Sequence, residues 1–405
     1  MYDNDNRLLI VDSDPHAVSA VRRVGEELGF SVFNAAERMS FLRLVEDARP
    51  TVILLDMELP QLDGVESMRA LAARGVRATV ALMGQSDRRV MNATRSIGFS
   101  RGLTMARNLA KPLEEDELRG LLLRLKCQER RFSPLEIKAA LDAGQFIAYY
   151  QPQVSMVNTD GWIIDGVEAL VRWQHPSLGI VMPNEFIPQA EKSGLIGRLT
   201  ERVLNQALEQ LSQWHRAGLT LRCSVNLPAS LVTDLDFPDR VAESIAEYGV
   251  EASQVTLELT ETATMQDPTS AMDILTRLRV KGIGLSLDDF GTGYSSLTRL
   301  YQMPFDEMKL DRSLAMNVPG SNEALIIIRS LIDLAHNLGL TVCTEGIETR
   351  EALDLLASLH SDRCQGYFIS RALPPTEIAN FVPHWNAQSP ASVNSVRVKQ
   401  VHAVL

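Results

Sequence analysis

The first third of the chain alternates between short apolar runs and longer stretches whose apolar residues have helical spacing. Residues 8–11, 52–55 and 79–83 are apolar runs of strand length, and helical patterns such as that of residues 18–28 separate them. Continuous apolar strands that alternate with helices are typical of a parallel sheet covered on both faces. The pattern therefore predicts a doubly wound, flavodoxin-like α/β domain.

The rest of the chain repeats this alternation, with one difference. Its apolar, often β-branched runs end in a charged or amide side chain, and helical stretches follow at 199–216, 241–248, 271–280, 324–338 and 350–359. Asn226 and Glu258 are 32 positions apart, and Glu258 and Asp288 are 30 apart. A βαβ unit takes about 30 residues. With further strand candidates at 147–151 and 365–368, the pattern predicts a TIM-like (β/α)8 barrel.

The polar residues that end these runs carry the main chemical signal. They are Glu168, Asn226, Glu258, Asp288, Asp289, Lys309, Asp311 and Glu345. The carboxyl ends of parallel barrel strands converge on one rim. Carboxylates gathered there would repel one another unless a cation held them. One strand-end carboxylate is usually a cap or a surface charge, but their recurrence predicts a metal site.

Composition limits the classes of protein that need to be considered. The net charge of −11 argues against nonspecific binding to nucleic acid polymers or to anionic membranes. The four cysteines are scattered and show no CxxC spacing, so neither a disulfide framework nor a structural zinc site is indicated. The polar N-terminus and the lack of a long apolar run favour a cytoplasmic protein without a membrane anchor.

Breaks in the pattern divide the chain into four predicted segments. We expect a receiver-like domain over residues 1–125, a charged helical connection over 126–133, a barrel over 134–385 and a disordered tail over 386–405. The connection is rich in charge and lacks Gly, which favours a helical spacer over a flexible linker. The tail turns polar after Trp385, which is typical of a disordered terminus.

In the first domain, polar residues follow the strand-like runs at the edge where ligands of such sheets bind. These residues are Asp12, Asp14, Asp56 and Lys111, and the last is followed by Pro112. Over about residues 5–125 the pattern resembles the phosphoacceptor receiver domain of two-component response regulators. The resemblance implies that Asp56 is the phosphoacceptor and that Asp12, Asp14 and Lys111 form the acidic pocket around it.

Two departures from the receiver pattern leave phosphorylation open. Ser13 stands where a second acidic magnesium ligand is expected, and Met83 or Gly84 stands where the switch serine or threonine is expected. Asp14 offers a carboxylate one position later, although a shift of one residue in a turn changes the direction of the side chain. The alternative is an α/β domain whose rim carboxylates serve only as caps and in turns.

In the second domain several motifs occur in order over about residues 134–385. They are Glu168-Ala169-Leu170, the loop at 288–297, Glu345-Gly346-Ile347-Glu348 and Gln365-Gly366-Tyr367. Together they resemble the EAL family of cyclic di-GMP phosphodiesterases. The tripeptide alone would mean little, since it is common in helices. The ordered set is what makes the resemblance specific.

The resemblance implies roles for individual residues. It implies two Mg²⁺ or Mn²⁺ ions per active site, bound by the oxygen donors Glu168, Asn226, Glu258, Asp288 and Asp289. It implies that Glu345 is a general base and that Lys309 orients the water. Substrate would contact Gln151, Leu170, Arg172, Asp311, Glu348 and Gln365. Glu261 would anchor the loop at 290–297, which links metal binding with dimerisation in the family, so a homo-oligomer is expected.

The functional hypothesis is hydrolysis of cyclic di-GMP to linear pGpG, under the control of the receiver-like domain. A sensor kinase or a protein partner would act through that domain. The main alternative is a catalytically silent cyclic di-GMP receptor or protein-interaction module. A purely structural two-domain scaffold would leave the recurring carboxylates unexplained.

Overall fold

A computed structural model describes residues 6–59, 62–85, 87–126, 132–157, 161–260, 267–291, 302–316, 318 and 321–388. Contacts within the chain divide it into two compact units, Met1–Arg131 and Phe132–Leu405. Across the described ranges, no helix is long and apolar enough to span a membrane.

The first unit contains a parallel sheet with strand order β2-β1-β3-β6-β7, and β8 also pairs with β6. Its elements are β1 (Arg7–Val11), α1 (Pro15–Glu27), β2 (Ser31–Ala35), α2 (Arg38–Asp47), β3 (Val52–Asp56), β4 (Glu58–Leu59), β5 (Leu62–Asp63), α3 (Gly64–Ala73), β6 (Thr79–Gly84), α4 (Arg88–Ser100), β7 (Thr104–Met105), β8 (Leu109–Ala110) and α5 (Glu115–Lys126).

Alternate residues of the central strands enter two separate cores, one on each face of this sheet. Leu9 and Ile53 pack in a cluster with Phe41 of α2. Leu8 and Leu54 pack in a second cluster with Val21 of α1 and Leu122 of α5. Because successive side chains of a strand point to opposite faces, strands buried on both faces must be apolar at every position. The doubly wound fold predicted from the apolar runs is confirmed.

The second unit is a barrel with helices around it. Its elements are α6 (Pro134–Asp142), β9 (Phe146–Val157), β10 (Gly161–His175), β11 (Gly179–Val181), α7 (Pro183–Lys192), α8 (Ile196–Arg216), β12 (Arg222–Asn226), α9 (Phe237–Tyr248), β13 (Val255–Thr260), α10 (Pro268–Val280), β14 (Gly284–Phe290), β15 (Glu307–Leu310), α11 (Arg312–Ala315), α12 (Asn322–Asn337), β16 (Thr341–Thr344), α13 (Arg350–Ser358), β17 (Arg363–Gln365) and α14 (Pro375–Gln388). Single 3₁₀ turns lie at Ala229–Leu231 and Ala252–Gln254.

Nine strands form the second sheet, and β11 pairs only with β10, so the other eight close into the barrel. From β10 through β12 to β17 each neighbouring pair is parallel. Strand β9 closes the barrel and runs antiparallel to both of its neighbours, β10 and β17. The predicted barrel is confirmed, with the correction that its first strand is antiparallel. Strands β9 and β10 form a long hairpin, and the two strands of a hairpin must run in opposite directions.

Two further differences from the predicted segments have local causes. Strand β10 extends to His175, well past Glu168, because it pairs with β9 along nearly its whole length. Helix α14 continues to Gln388, so the first residues of the predicted disordered tail are helical. Asn386 accepts a hydrogen bond from the Ile164 backbone N–H at 2.7 Å and donates one to the Ile164 carbonyl at 2.9 Å. Residues 127–131 and 389–405 lie outside the described part of the chain.

Gly366 provides a test of how tightly the end of β17 packs. A Cβ atom at this position would lie 2.2 Å from both the backbone N and the carbonyl O of Ile347. These backbone atoms cannot move aside cheaply, so Gly366→Ala should lower the free energy of unfolding by about 2–3 kcal/mol. Urea unfolding followed by tryptophan fluorescence measures this change, because all four tryptophans lie in the barrel unit.

The matched control for this prediction is Gly197→Ala in α8. Its added Cβ would meet Leu231 Cδ2 at 3.4 Å, an ordinary contact. Alanine is also the better helix former, so this variant should be neutral or slightly stabilised. Equal stability of the two variants would contradict the close packing inferred at Gly366.

Candidate active site

A buried ammonium group stands at the centre of the acidic rim of the barrel. The side chain of Lys309 is 1% exposed, and its Nζ lies 2.6 Å from Glu258 Oε2 and 2.6 Å from Glu345 Oε1. The same Nζ is 3.5 Å from Glu168 Oε2 and 3.5 Å from Asp288 Oδ1. Four carboxylates from four different strands or strand ends therefore meet at one cation. The predicted convergence of strand-end residues is present in the structure.

Amide side chains hold Glu168 from both sides. Asn226 Nδ2 donates to Glu168 Oε1 at 2.9 Å, and Gln365 Nε2 donates to Glu168 Oε2 at 2.6 Å. Asn226 also lies opposite Glu258 in the parallel register of β12 and β13, so neighbouring strands deliver both residues to the same level of the barrel. Glu168 is thus oriented by hydrogen bonds as well as by the charge of Lys309.

Burial and mutual proximity shift the protonation equilibria of this cluster. Burial alone would lower the pKa of Lys309, but the surrounding carboxylates outweigh it and hold that pKa well above its ordinary value. Burial raises the pKa of Glu345 to about 7. Burial and the charge of Glu168 raise the pKa of Glu258 well above its usual value. Glu345 can therefore hold or release a proton near neutral pH, as a general base must.

A β-bulge brings two successive carboxylates to the rim at the end of β14. The register between β14 and β15 shifts between Leu287 and Phe290, and Asp289 has a φ of 58°. The Asp289 N–H donates to Asp288 Oδ1 at 3.0 Å. In a regular strand, neighbouring side chains point to opposite faces. Bulges at barrel rims re-aim side chains, so the irregularity accounts for the adjacent placement of Asp288 and Asp289.

The residues expected to contact substrate surround this centre on different sides. Gln151, Glu345, Glu348 and Gln365 line one cleft, together with Arg312 and Tyr367. Leu170 and Asn226 line a more apolar cavity on the other side, between the barrel and helices α7 and α8.

The remaining predicted site residues have more local partners. Arg172 follows Glu168 on the same strand face, donates to the Val171 carbonyl at 2.8 Å and lies over the Tyr149 ring. Asp311 caps α11 through a 2.9 Å bond from the Ser313 N–H. Glu261, the expected loop anchor, lies outside the described residues. The structure therefore gathers the predicted metal-binding and catalytic residues more closely than the outer substrate residues.

The acidic centre has the donors that a hard divalent cation requires. Glu258 Oε1 is buried and has no hydrogen-bond partner. The neighbouring atoms that could coordinate a cation are carboxylate or amide oxygens. Mg²⁺ and Mn²⁺ prefer such oxygen ligands. Within the described residues, no three acidic, His or Cys side chains already have the arrangement of a metal site, and Lys309 offsets only part of the carboxylate charge. The residues present fit a divalent cation by donor chemistry.

The first unit carries a smaller site with the same chemistry. Lys111 Nζ lies 2.8 Å from Asp12 Oδ2 and 2.9 Å from Asp56 Oδ2. The Asp14 carboxylate accepts a hydrogen bond from the His16 N–H at 2.9 Å and caps α1. Asp12, Asp56 and Lys111 are thus brought together, whereas Asp14 serves as a helix cap. Met83 is fully buried and points away from solvent.

Sequence reasoning missed several residues of the barrel site. Gln153 and Ser370 hydrogen-bond to the amides that surround Glu168, and Arg312 and Tyr367 line the cleft. Gln153 could have been found, because it follows Gln151 by two positions and shares its strand face. Ser370 contributes only a backbone carbonyl, which no sequence pattern reveals.

Comparison with known families agrees with this geometry. The family model described as EAL domain matches residues 135–372, or 238 of the 405 residues. This chain belongs to the EAL domain family. The model of the response regulator receiver domain matches residues 8–122. The receiver and EAL resemblances noted in the sequence are both confirmed.

Relatives with this EAL domain include proteins of Pseudomonas aeruginosa. The cyclic di-GMP phosphodiesterase RocR is 29% identical over 394 residues, which cover 93% of this chain and 99% of RocR. The cyclic di-GMP phosphodiesterase PA2567 is 36% identical over 259 residues, which cover 64% of this chain but only 44% of PA2567. RocR therefore matches both units, and PA2567 matches the EAL domain with other sequence beside it.

Solved EAL structures share the barrel. The MucR phosphodiesterase in complex with c-di-GMP has 34% sequence identity and a TM-score of 0.57, covering 60% of this chain and 98% of that one. The EAL enzyme Bd1971 with cAMP and cyclic di-GMP bound has 31% identity and a TM-score of 0.57, covering 66% of this chain and 75% of that one.

The role of Lys309 as an internal counter-ion can be tested by its effect on stability. Without metal, Lys309→Met should lower the free energy of unfolding by about 3–5 kcal/mol at pH 8, because it leaves buried carboxylates unpaired. The loss should shrink toward pH 5 as Glu258 and Glu345, whose pKa values are raised, take up protons. Lys309 itself stays charged over this range. Urea unfolding in EDTA at both pH values measures the change.

Lys281→Met is the control for this experiment. Lys281 forms an ion pair with Asp239 at 2.7 Å, but its side chain is 29% exposed and that of Asp239 is 50% exposed, against 1% for Lys309. Such surface pairs contribute about 0–1 kcal/mol, so the control should lose little at either pH. A loss for Lys309→Met that is as small as that of the control would contradict the counter-ion role.

Proposed function

We propose that this chain hydrolyses cyclic di-GMP to linear pGpG in a reaction that depends on divalent metal. The observation that carries the proposal is the convergence of Glu168, Glu258, Asp288 and Glu345 on Lys309. The names of RocR and PA2567 as cyclic di-GMP phosphodiesterases support the substrate. Incubation of the pure protein with cyclic di-GMP and Mg²⁺ or Mn²⁺, followed by chromatography, tests for pGpG.

Each group at the rim has a proposed part in this reaction. Glu168, Asn226, Glu258, Asp288 and Asp289 would hold two Mg²⁺ or Mn²⁺ ions. When bound, such ions lower the pKa of water and offset charge on the phosphodiester. Glu345, whose pKa burial raises to about 7, would accept the proton of the attacking water. The water oxygen would bond to phosphorus as one P–O3′ bond breaks, and the 3′ oxygen would take up a proton from bulk water to leave as a hydroxyl.

Lys309 and the outer polar residues would position the reactants. Lys309, adjacent to Glu345, would orient the water and offset the negative charge that develops at phosphorus. Arg172 would bind a phosphate, and the cleft residues Gln151, Glu348 and Gln365 would orient the substrate, with Leu170 and Asp311 shaping its surroundings.

A silent cyclic di-GMP receptor is the alternative from another functional class. Such a protein could lack a metal ligand, the lysine or the base without losing its fold. Glu168, Lys309 and Glu345 are all present here, and both glutamates lie within ion-pair distance of Lys309. The presence of all three residues favours an enzyme. The pGpG assay distinguishes an enzyme from a receptor, since a receptor would bind cyclic di-GMP without forming pGpG.

Removal of a single ligand tests the assignment of the metal site. Glu168→Ala and Asp288→Ala should each lower the rate of hydrolysis at least about 10–100-fold, the range found when only a partner of a metal ligand is removed. The control Glu201→Ala removes an exposed carboxylate paired with Arg240. Circular dichroism should show that all three variants fold. Full turnover of Glu168→Ala in saturating Mg²⁺ would place the site elsewhere.

Arg172 and Lys309 should have different kinetic signatures. A hydrogen bond from a charged group is worth about 1.5–3 kcal/mol, so Arg172→Ala should raise KM about tenfold or more. Lys309→Ala should mainly lower kcat, because the lysine acts as charge develops. Steady-state kinetics with cyclic di-GMP measures both constants, and Arg216→Ala on α8 serves as control. The reverse pattern would exchange the two roles.

We further propose that the receiver domain acts mainly through docking or dimerisation rather than through phosphorylation of Asp56. Ser13 cannot replace a carboxylate as a strong magnesium ligand, and the Asp14 carboxylate caps α1. Phosphoryl transfer needs a cation to offset charge on the phosphate oxygens. With Met83 or Gly84 at the switch position, a phosphoryl group would also lack a hydroxyl to bind.

Beryllofluoride and small phosphodonors should therefore change the hydrolysis rate less than about twofold, because a ligand shifts an equilibrium only by binding its two states differently. Deletion of residues 1–125 should change activity or oligomeric state more than Asp56→Ala does. Light scattering measures the oligomeric state, and the pGpG assay measures the activity. A large activation by beryllofluoride that disappears in Asp56→Ala would contradict this proposal and would point to Asp14 as the substitute magnesium ligand.

A further inference from the structure

Gln153 is a buried amide with no role in the proposed reaction. Its side chain, 4% exposed, lies inside the barrel on β9, two positions beyond Gln151. In the strand register, Gln153 lies opposite Gly166 of β10 on one side and opposite Gln365 of β17 on the other. It therefore occupies the place where the antiparallel strand meets both of its neighbours, one layer below the acidic rim.

Hydrogen bonds join Gln153 to Glu168 through one intermediate. Gln153 Nε2 donates to Gln365 Oε1 at 3.0 Å and to Ser224 Oγ at 3.3 Å. Gln365 Nε2 in turn donates to Glu168 Oε2 at 2.6 Å and to Gln151 Oε1 at 3.2 Å. Gln365 thus uses both ends of its amide, one toward the acidic centre and one toward Gln153.

The chemistry of the partners determines which way these amides face. The Ser370 carbonyl can only accept, so Gln151 turns its Nε2 toward it at 3.1 Å and presents its oxygen to Gln365. Glu168, when ionised, also only accepts. Gln365 must therefore direct its nitrogen toward Glu168 and Gln151, and its oxygen needs a donor, which Gln153 supplies. A reversed Gln365 would place its oxygen against two other oxygens.

Gly166 gives a second, independent observation about this position. A Cβ atom at Gly166 would lie 3.1 Å from Gln153 Oε1, closer than side-chain atoms normally approach. The missing side chain on β10 thus leaves room for the Gln153 amide. A side chain at position 166 would therefore press on the Gln153 amide oxygen.

We propose that Gln153 is a positioning residue that fixes the orientation of the Gln365 amide and, through it, of the Glu168 carboxylate as a metal ligand. This inference rests on the proposed function, in which Glu168 binds metal. Without the donor at Gln153, the buried Gln365 oxygen loses its partner, and rotation of the Gln365 amide becomes less costly. Partners of metal ligands typically change metal affinity about 10–100-fold, and Gln153 acts one hydrogen bond further away.

The test compares Mn²⁺ binding by the full-length protein and its Gln153→Met variant, which keeps the length of the side chain but removes the donor. Isothermal titration should show binding about three- to tenfold weaker, below the range for direct partners of ligands. Gln206→Met is the matched control, since Gln206 also makes two hydrogen bonds to β9 but from outside the barrel, to Phe146 and Ala148. It should bind Mn²⁺ as the unaltered protein does.

A double-mutant cycle separates positioning from a general loss of stability. If Gln153 acts through Gln365, then Gln153→Met should have little further effect on Mn²⁺ affinity in a Gln365→Met background. Additive effects would overturn the proposal. So would a Gln153→Met protein that melts at a lower temperature but binds Mn²⁺ within twofold of the unaltered protein, because that pattern marks a purely structural residue.

Two further measurements cover a variant that does not fold and a failure of the proposed function itself. If Gln153→Met does not fold, Gly166→Ala displaces the same amide without removing it, and unchanged Mn²⁺ affinity in that variant would overturn the proposal. If the unaltered protein itself binds no Mn²⁺, the proposed function fails together with this inference. If it binds Mn²⁺ and produces pGpG while the variants match it, only the role of Gln153 is lost.

Discussion

The burial of several carboxylates around one lysine is the constraint on which the barrel's rim depends. Taking a charge out of water costs several kcal/mol, and like charges at close range add to that cost. Lys309 reduces both costs, because its ammonium group contacts Glu258 and Glu345 directly and lies close to Glu168 and Asp288. A site that must present acidic ligands to a cation can in this way fold before any cation arrives.

The antiparallel strand β9 gives this barrel something that a fully parallel one lacks. A parallel strand contributes to the rim only near its carboxyl end. Strand β9 instead crosses the site in the opposite direction and delivers Gln151 and Gln153 from its middle. These amides complete a hydrogen-bonded row with Gln365 that holds Glu168. Because β9 is antiparallel, it can therefore place neutral amide side chains that orient Glu168 within an otherwise charged site.

The same physical solution appears, on a smaller scale, in the first unit. Lys111 contacts both Asp12 and Asp56, so a lysine again offsets part of the charge of buried carboxylates at the carboxyl edge of a parallel sheet. The two sites differ in what surrounds this core. The barrel adds Asn226 and a row of amides, whereas the receiver adds Ser13 and buried Met83. Among the described residues, the barrel thus places more oxygen ligands around its lysine than the receiver does, and oxygen ligands are what hard divalent ions prefer.

The sequence by itself determined the two α/β units, their order and most of the acidic centre, because continuous apolar runs and the polar residues that end them depend on local periodicity. The receiver and EAL motifs can also be identified from the sequence, because each consists of particular residues that lie close together in the chain. The tertiary structure alone decided the direction of β9, the bulge at Asp289, the hydrogen bond from Gln153 to Gln365 and the hydrogen bonds between Asn386 and Ile164. These features arise from strand pairing and hydrogen bonds between residues far apart in the chain. Their energies depend on geometry that local pattern does not encode.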